Sequence, residues 1–156
     1  MENHGIKMEC CSKKITMKNI LKSLVFVFGL LMMLNCSSRN QVSEQINKKW
    51  MLIEFQDLTK DFLMKKGANL DLSTKDQYGA NMGCNRIFMK ADFNGEGTVA
   101  FSGIGSTMMY CQDGMKLEDA FVKALPTMVH YKIEGHFLTL KAKDGSSMKF
   151  VAADWD

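Results

Sequence analysis

From Arg86 onward the chain runs in short stretches of alternating apolar and polar residues, each ended by residues suited to a turn. In "RIFMKADF", Ile87, Met89, Ala91 and Phe93 share one face while Phe88, Lys90 and Asp92 share the other. That two-residue period is the mark of a strand with one buried face. The stretch ends at "NGEG", where Asn94-Gly95 predicts a two-residue hairpin because both residues tolerate positive φ. "TVAFSGI" then returns with Val99 and Phe101 pointing together. Upstream, the apolar "KWMLIEF" predicts an opening strand anchored by Trp50. Downstream, Val129, Tyr131 and Ile133 alternate with His130, Lys132 and Glu134, and a turn is expected at Glu134-Gly135. Leu138 and Leu140 share a face of the next strand, and Asp144-Gly145 falls in a short loop before Met148 and Phe150.

One segment has another period. In "MKLEDAFVKAL", Leu117, Phe121 and Leu125 recur every four residues, with Ala120 and Ala124 beside them and Lys116, Asp119 and Lys123 elsewhere. This predicts a helix packed on the sheet, capped by Asp113 and limited by Pro126. Short strands, tight turns and a single helix together predict a mainly β fold: a small antiparallel sheet curled toward a barrel, with one packed α-helix. Curling also hides strand edges that would otherwise invite aggregation.

The N-terminal part has a different purpose. Residues 17–36, "MKNILKSLVFVFGLLMMLNC", place Lys18 and Lys22 before an apolar run that ends in cysteine, the layout of a secretory signal. The run is about a dozen residues, short of the roughly 18–20 that cross a bilayer as a helix. "MLNCSS" resembles a bacterial lipobox at Leu34 and Cys36 and departs from it at Asn35. The expected organisation is a signal peptide over residues 1–35 with Met17 as an alternative start. A lipidated Cys36, palmitate among its acyl groups, and a polar tether then cover residues 36–48, and the folded domain covers residues 49–153. The five lysines and two glutamates before Cys36 account for the whole net charge of +3. The rest of the chain is electrically balanced, which removes the case for a nucleic-acid partner.

Of five cysteines, Cys10 and Cys11 are lost with the signal and Cys36 is assigned to lipid, leaving Cys84 in "NMGCN" and Cys111 in "STMMYC". In an oxidising compartment the pair is expected to form a disulfide, worth about 3.5 kcal/mol from loop-closure entropy. A second reading starts from the repeated M-x-C spacing. If both stretches are strands, Met82, Cys84, Met109 and Cys111 could present four soft sulfur ligands suited to Cu(I). A nucleophilic cysteine would need a base, and the two histidines after Cys36, His130 and His136, are expected on a polar strand face and at a turn. Asn81 and Asn85 are expected to serve the backbone as turn residues. No HExxH, GxSxG or phosphate-binding glycine loop occurs, so neither an enzyme nor a cofactor is expected.

Set in order, Trp50 and Leu52, Gly79 with Gly83, Cys84 and Asn85, "FSGI" at Phe101 to Ile104, and Thr107, Met109 and Cys111 form a pattern. Leu117, Glu118 and Phe121, then "LTL" and the Asp144-Gly145 turn, extend it. This resembles the META domain of HslJ-like heat-shock lipoproteins. The resemblance implies the same barrel-like β fold with one helix, and a role in heat or envelope stress without a defined reaction. By analogy with that family the lipoprotein is expected on the periplasmic face of the outer membrane, and it is further expected to be a monomer that acts by binding an unknown protein or small molecule.

Overall fold

The structure, a computed structural model, describes residues 44–74, 77–111 and 115–155. The signal segment, Cys36 and the expected capping residue Asp113 lie outside the described residues. Eight strands form one sheet: β1 (Lys49–Phe55), β2 (Asn69–Asp71), β3 (Tyr78–Asn81), β4 (Arg86–Phe93), β5 (Val99–Ser106), β6 (Met128–Glu134), β7 (Phe137–Ala142) and β8 (Ser147–Ala152). Their order is β5-β4-β3-β2-β1-β8-β7-β6, and every pairing is antiparallel. The opening strand therefore sits mid-sheet, between β2 and the last strand of the chain.

The alternation read from β4 holds: Ile87 and Met89 are buried while Phe88, Lys90 and Asp92 face out. In β1 the period breaks at Ile53, the extra residue where the register with β8 shifts between Leu52 and Glu54. The bulge lets Leu52, Ile53 and Phe55 all be buried. The sheet curls into a half-barrel until its two outer strands meet near their ends. There Thr98 bridges His130, and the Tyr131 amide donates to the Gly97 carbonyl at 2.8 Å. The Tyr131 hydroxyl adds a 2.6 Å bond to the Asn94 carbonyl, and its ring meets Phe93 edge-on at 5.1 Å.

The inner face of this curl is filled by Trp50, Leu52, Leu70, Ile87, Leu140 and Phe150, all essentially without solvent contact. The long helix α2 (Met115–Ala124) adds its predicted stripe: Leu117, Phe121 and Leu125 are all buried. It stops where Pro126 enters a 3-10 turn over Leu125–Thr127, because proline supplies no amide to continue the ladder. A shorter helix, α1 (Lys60–Lys65), is an addition to the single helix expected. Thr59 caps it by accepting from the Phe62 amide at 3.3 Å, and Gly67 leaves it at φ 62°.

Three expectations about boundaries and turns change. The fold begins before Lys49: Ile46 is buried and its carbonyl accepts the Trp50 indole N–H at 3.0 Å. Asn94-Gly95 is not a two-residue turn. The Asn94 side chain accepts from the Glu96 and Thr98 amides at 3.0 Å each, and Gly97 rather than Asn94 or Gly95 takes positive φ, at 80°. The result is a three-residue loop that ends in a left-handed glycine. Likewise, Glu134 remains in β6 opposite Phe137, and the turn is Gly135-His136 with Gly135 at φ 58°.

Candidate functional site

Cys84 lies between β3 and β4, Cys111 just past β5, and a disulfide joins them with Cα atoms 5.9 Å apart. The bridge encloses the β4–β5 hairpin. Around it the chain makes an unusually complete set of polar contacts. Asn81 folds the first approach by accepting the Gly83 amide at 2.7 Å, and Gly83 adopts φ 96°. A side chain at Gly83 would also run into Lys66, whose Cδ would lie 3.0 Å from its Cβ.

Asn85 departs from its expected role as a turn residue. It is 2% exposed, and its side chain holds a segment more than twenty residues away. Its Oδ1 accepts from the Met109 amide at 2.7 Å and from the Thr107 hydroxyl at 2.8 Å, while its Nδ2 donates to the Met109 carbonyl at 3.0 Å. One amide side chain thus pairs with both backbone groups of Met109, as a neighbouring strand would. Thr107 closes the arrangement by accepting the Arg86 amide at 3.2 Å.

Glu118 completes the clamp. In the first turn of α2, 4% exposed, it accepts the Asn85 amide at 2.7 Å. A carboxylate acceptor makes this a strong bond, and its position suits the positive end of the helix. Disulfide, Asn85 and Glu118 therefore tie three stretches of chain together: residues 81–85, residues 107–111 and α2. Among the described residues no buried side-chain nitrogen or oxygen lacks a partner.

The clamp holds something out rather than in. Met108 is 100% exposed, Tyr110 87% and Met109 57%. Three consecutive large apolar residues on the surface oppose the hydrophobic effect unless something covers them in use. Here both neighbouring anchors, Asn85 and Cys111, prevent the segment from folding back.

The geometric premise of the copper reading is corrected. β3 ends at Asn81, β4 starts at Arg86 and β5 ends at Ser106, so neither M-x-C pair lies on a strand. Met82 is fully buried in the core while Met109 faces solvent, and both cysteine sulfurs are engaged with each other. His130 is exposed on β6, and His136 stacks flat on Trp155 with ring centres 4.5 Å apart. Among the described residues the polar or sulfur contacts of Cys84 are with Asn85, Met109 and Met115, not with a histidine.

The curled antiparallel sheet has relatives. The family model of the META domain matches residues 43–155. The chain belongs to the META domain family. The META fold is also visible in solved structures. An NMR structure of a protein from Burkholderia xenovorans superposes with a TM-score of 0.59 at 20% identity, covering 74% of this chain and 88% of that one. The crystal structure of a DUF4847 family protein from Bacteroides vulgatus gives a TM-score of 0.52 at 14% identity, covering 74% and 99%. At these identities the likeness concerns the fold. Among curated proteins no match is found. Within this META domain, Gly83, Cys84, Asn85, Thr107, Cys111 and Glu118, which carried the resemblance in the sequence, are the residues that build the clamp or line it. Sequence reasoning found the cysteines. It missed the joint role of Asn85 and Glu118, although both stood in the motifs.

Proposed function

We propose that this META protein is a non-enzymatic lipoprotein of the bacterial envelope, held by Cys36, that supports tolerance of heat or envelope stress by docking a partner on Met108, Met109 and Tyr110. The observation that carries this reading is the exposure of that apolar segment on a loop locked by Asn85 and the Cys84–Cys111 bridge. A rigid apolar contact loses little conformational entropy on binding, which favours a docking role. The polar segment after Cys36 supports a tether and the signal layout supports export, while the periplasmic face of the outer membrane follows from the family analogy alone.

The test is replacement of the native protein by a Met108→Ser/Tyr110→Ser variant. The reading expects wild-type thermal stability in the purified domain together with lost stress tolerance in cells. Unchanged tolerance would remove the docking role. Separately, Cys36→Ser should release the protein from the membrane fraction, and continued membrane association would remove the anchor.

A further inference from the structure

A groove between α1 and α2 has a composition that neither the core nor the clamp requires. Its volume is about 660 Å³, within the ordinary range for small-molecule sites. Leu58, Phe62, Leu117 and Ala120 form its apolar lining, and Lys65, Lys66 and Lys116 stand at its sides. Leu117 is buried beneath it, while Phe62 leaves more than a third of its surface open to it, at 37%. The Lys66 ammonium lies 5.8 Å from the centre of the Phe62 ring, close enough for the ring face to favour the charge.

The charged residues that line this groove are all cations. Among the described residues none of the three lysines has a carboxylate within ion-pair distance; the pairs present are Lys48–Asp154, Lys132–Glu134 and Lys149–Glu54. Glu118, the acidic residue of the first turn of α2, is turned away into the clamp. Lys65 and Lys66 complement the C-terminal end of α1 and have a structural reason to be there. Lys116 has none: it occupies the first turn of α2, where the helix dipole disfavours a cation. Three cations thus surround an apolar trough partly open to water.

We propose that this groove binds a single-chain anionic amphiphile of the fatty-carboxylate class, its chain along Phe62, Leu58 and Ala120 and its head at Lys116 and the α1 lysines. A small inorganic anion would leave the apolar lining unused, and a neutral chain would leave the lysines unused. The site is separate from Met108, Met109 and Tyr110 and does not depend on lipid attachment at Cys36.

The unit Ser38–Asp156, which contains every residue of the described core, suits the test. Laurate, kept below its micelle concentration, is titrated into the isotope-labelled unit, with decanoate, dodecyl maltoside and inorganic phosphate run in parallel. Amide shifts are expected around Phe62, Lys66, Leu117 and Ala120. Affinity should rise about two- to fourfold per added methylene from decanoate to laurate, and phosphate and the maltoside should bind at least about tenfold more weakly than laurate. Lys65→Glu/Lys116→Glu should weaken laurate about tenfold while leaving the spectrum away from the groove unchanged. The proposal is overturned by shifts that map elsewhere, by equal binding of the maltoside or of phosphate, or by an affinity independent of chain length.

Discussion

The meander β6–β7–β8 and the corner where β3, β4 and β5 meet α2 belong to one sheet, yet they are closed by different means. In the meander each connection is a tight turn made by its own residues. Gly135-His136 links the first pair, and Gly145 at φ 92°, with Asp144 accepting the Ser146 amide at 2.9 Å, links the second. At the corner the joints are non-local: a disulfide spanning 27 residues, a side-chain clamp spanning 24 and a carboxylate contact spanning 33. Local turns give a finished surface of alternating polar residues. Long-range clamps allow the chain to hold apolar residues in water, which no local preference would do. The exposed segment at Met108, Met109 and Tyr110 and the lysine-sided groove both adjoin the corner, since Lys66 packs against Gly83 and Lys116 follows Met115, whose sulfur is 4.0 Å from Cys84.

The largest break in this comparison comes from the bridge. Cys84→Ser/Cys111→Ser should lower unfolding free energy by about 3.5 kcal/mol, read from denaturant midpoints. Hydrogen exchange near residues 107–111 should accelerate more than in β7, and uniform acceleration would mean that the corner is no separate unit. Next comes Asn85→Ala. It strands both backbone groups of Met109 and the Thr107 hydroxyl, for an expected loss of about 3 kcal/mol. It should also loosen Met108 and Tyr110 with the disulfide intact, whereas a loop that stays ordered would assign its rigidity to the bridge alone.

The smallest effect compares two Asp-x-Ser turns, one in the meander and one at the end of β2, the strand that pairs with β3 of the corner. At Asp71 burial opposes ionisation, but the Ser73 hydroxyl and amide, with Lys49 and Arg86 nearby, outweigh it and hold the carboxyl below its ordinary 3.8. Asp144, in the meander, is lowered mainly by the Ser146 hydroxyl and amide. A depressed carboxylate stabilises the fold above its ordinary value and loses that contribution as pH falls through the folded value. Ser73→Ala and Ser146→Ala should therefore each lower stability slightly at neutral pH, with the difference from wild type fading as pH falls through the folded carboxylate value. A loss that persists undiminished at acid pH would show that the hydroxyls matter for packing rather than for the charge.

The same division explains what could be read from the residues. β4 and the meander announce themselves because eight- and six-residue strands let the two-residue period accumulate. β2 "NLD" and β3 "YGAN" span three and four residues, too few to show any period. Helix α1, at six residues, left only Thr59 and Gly67 as signals. Asn94-Gly95 misled because asparagine can shape a loop through its side chain as well as through its φ. The fold class and the cysteine pair were legible. The burial of Glu118 was not, since a charged residue is expected outside until its partner, the Asn85 amide, is known. Nor was the exposure of Met108 and Tyr110, which depends on those same distant contacts.

The placement of β1 beside β8 has a mechanical consequence. Trp50 lies opposite Ala152, Lys49 accepts the Ala153 amide at 2.8 Å, and Lys48 pairs with Asp154 at 3.3 Å. Both ends of the domain thus leave from the same end of one antiparallel pair. Force applied between them would open that ladder like a zipper, one hydrogen bond after another, instead of loading all its bonds at once. A handle meant to resist tension belongs in the Asp144 loop, and a fusion at the C-terminus stands beside the point where the N-terminal segment enters.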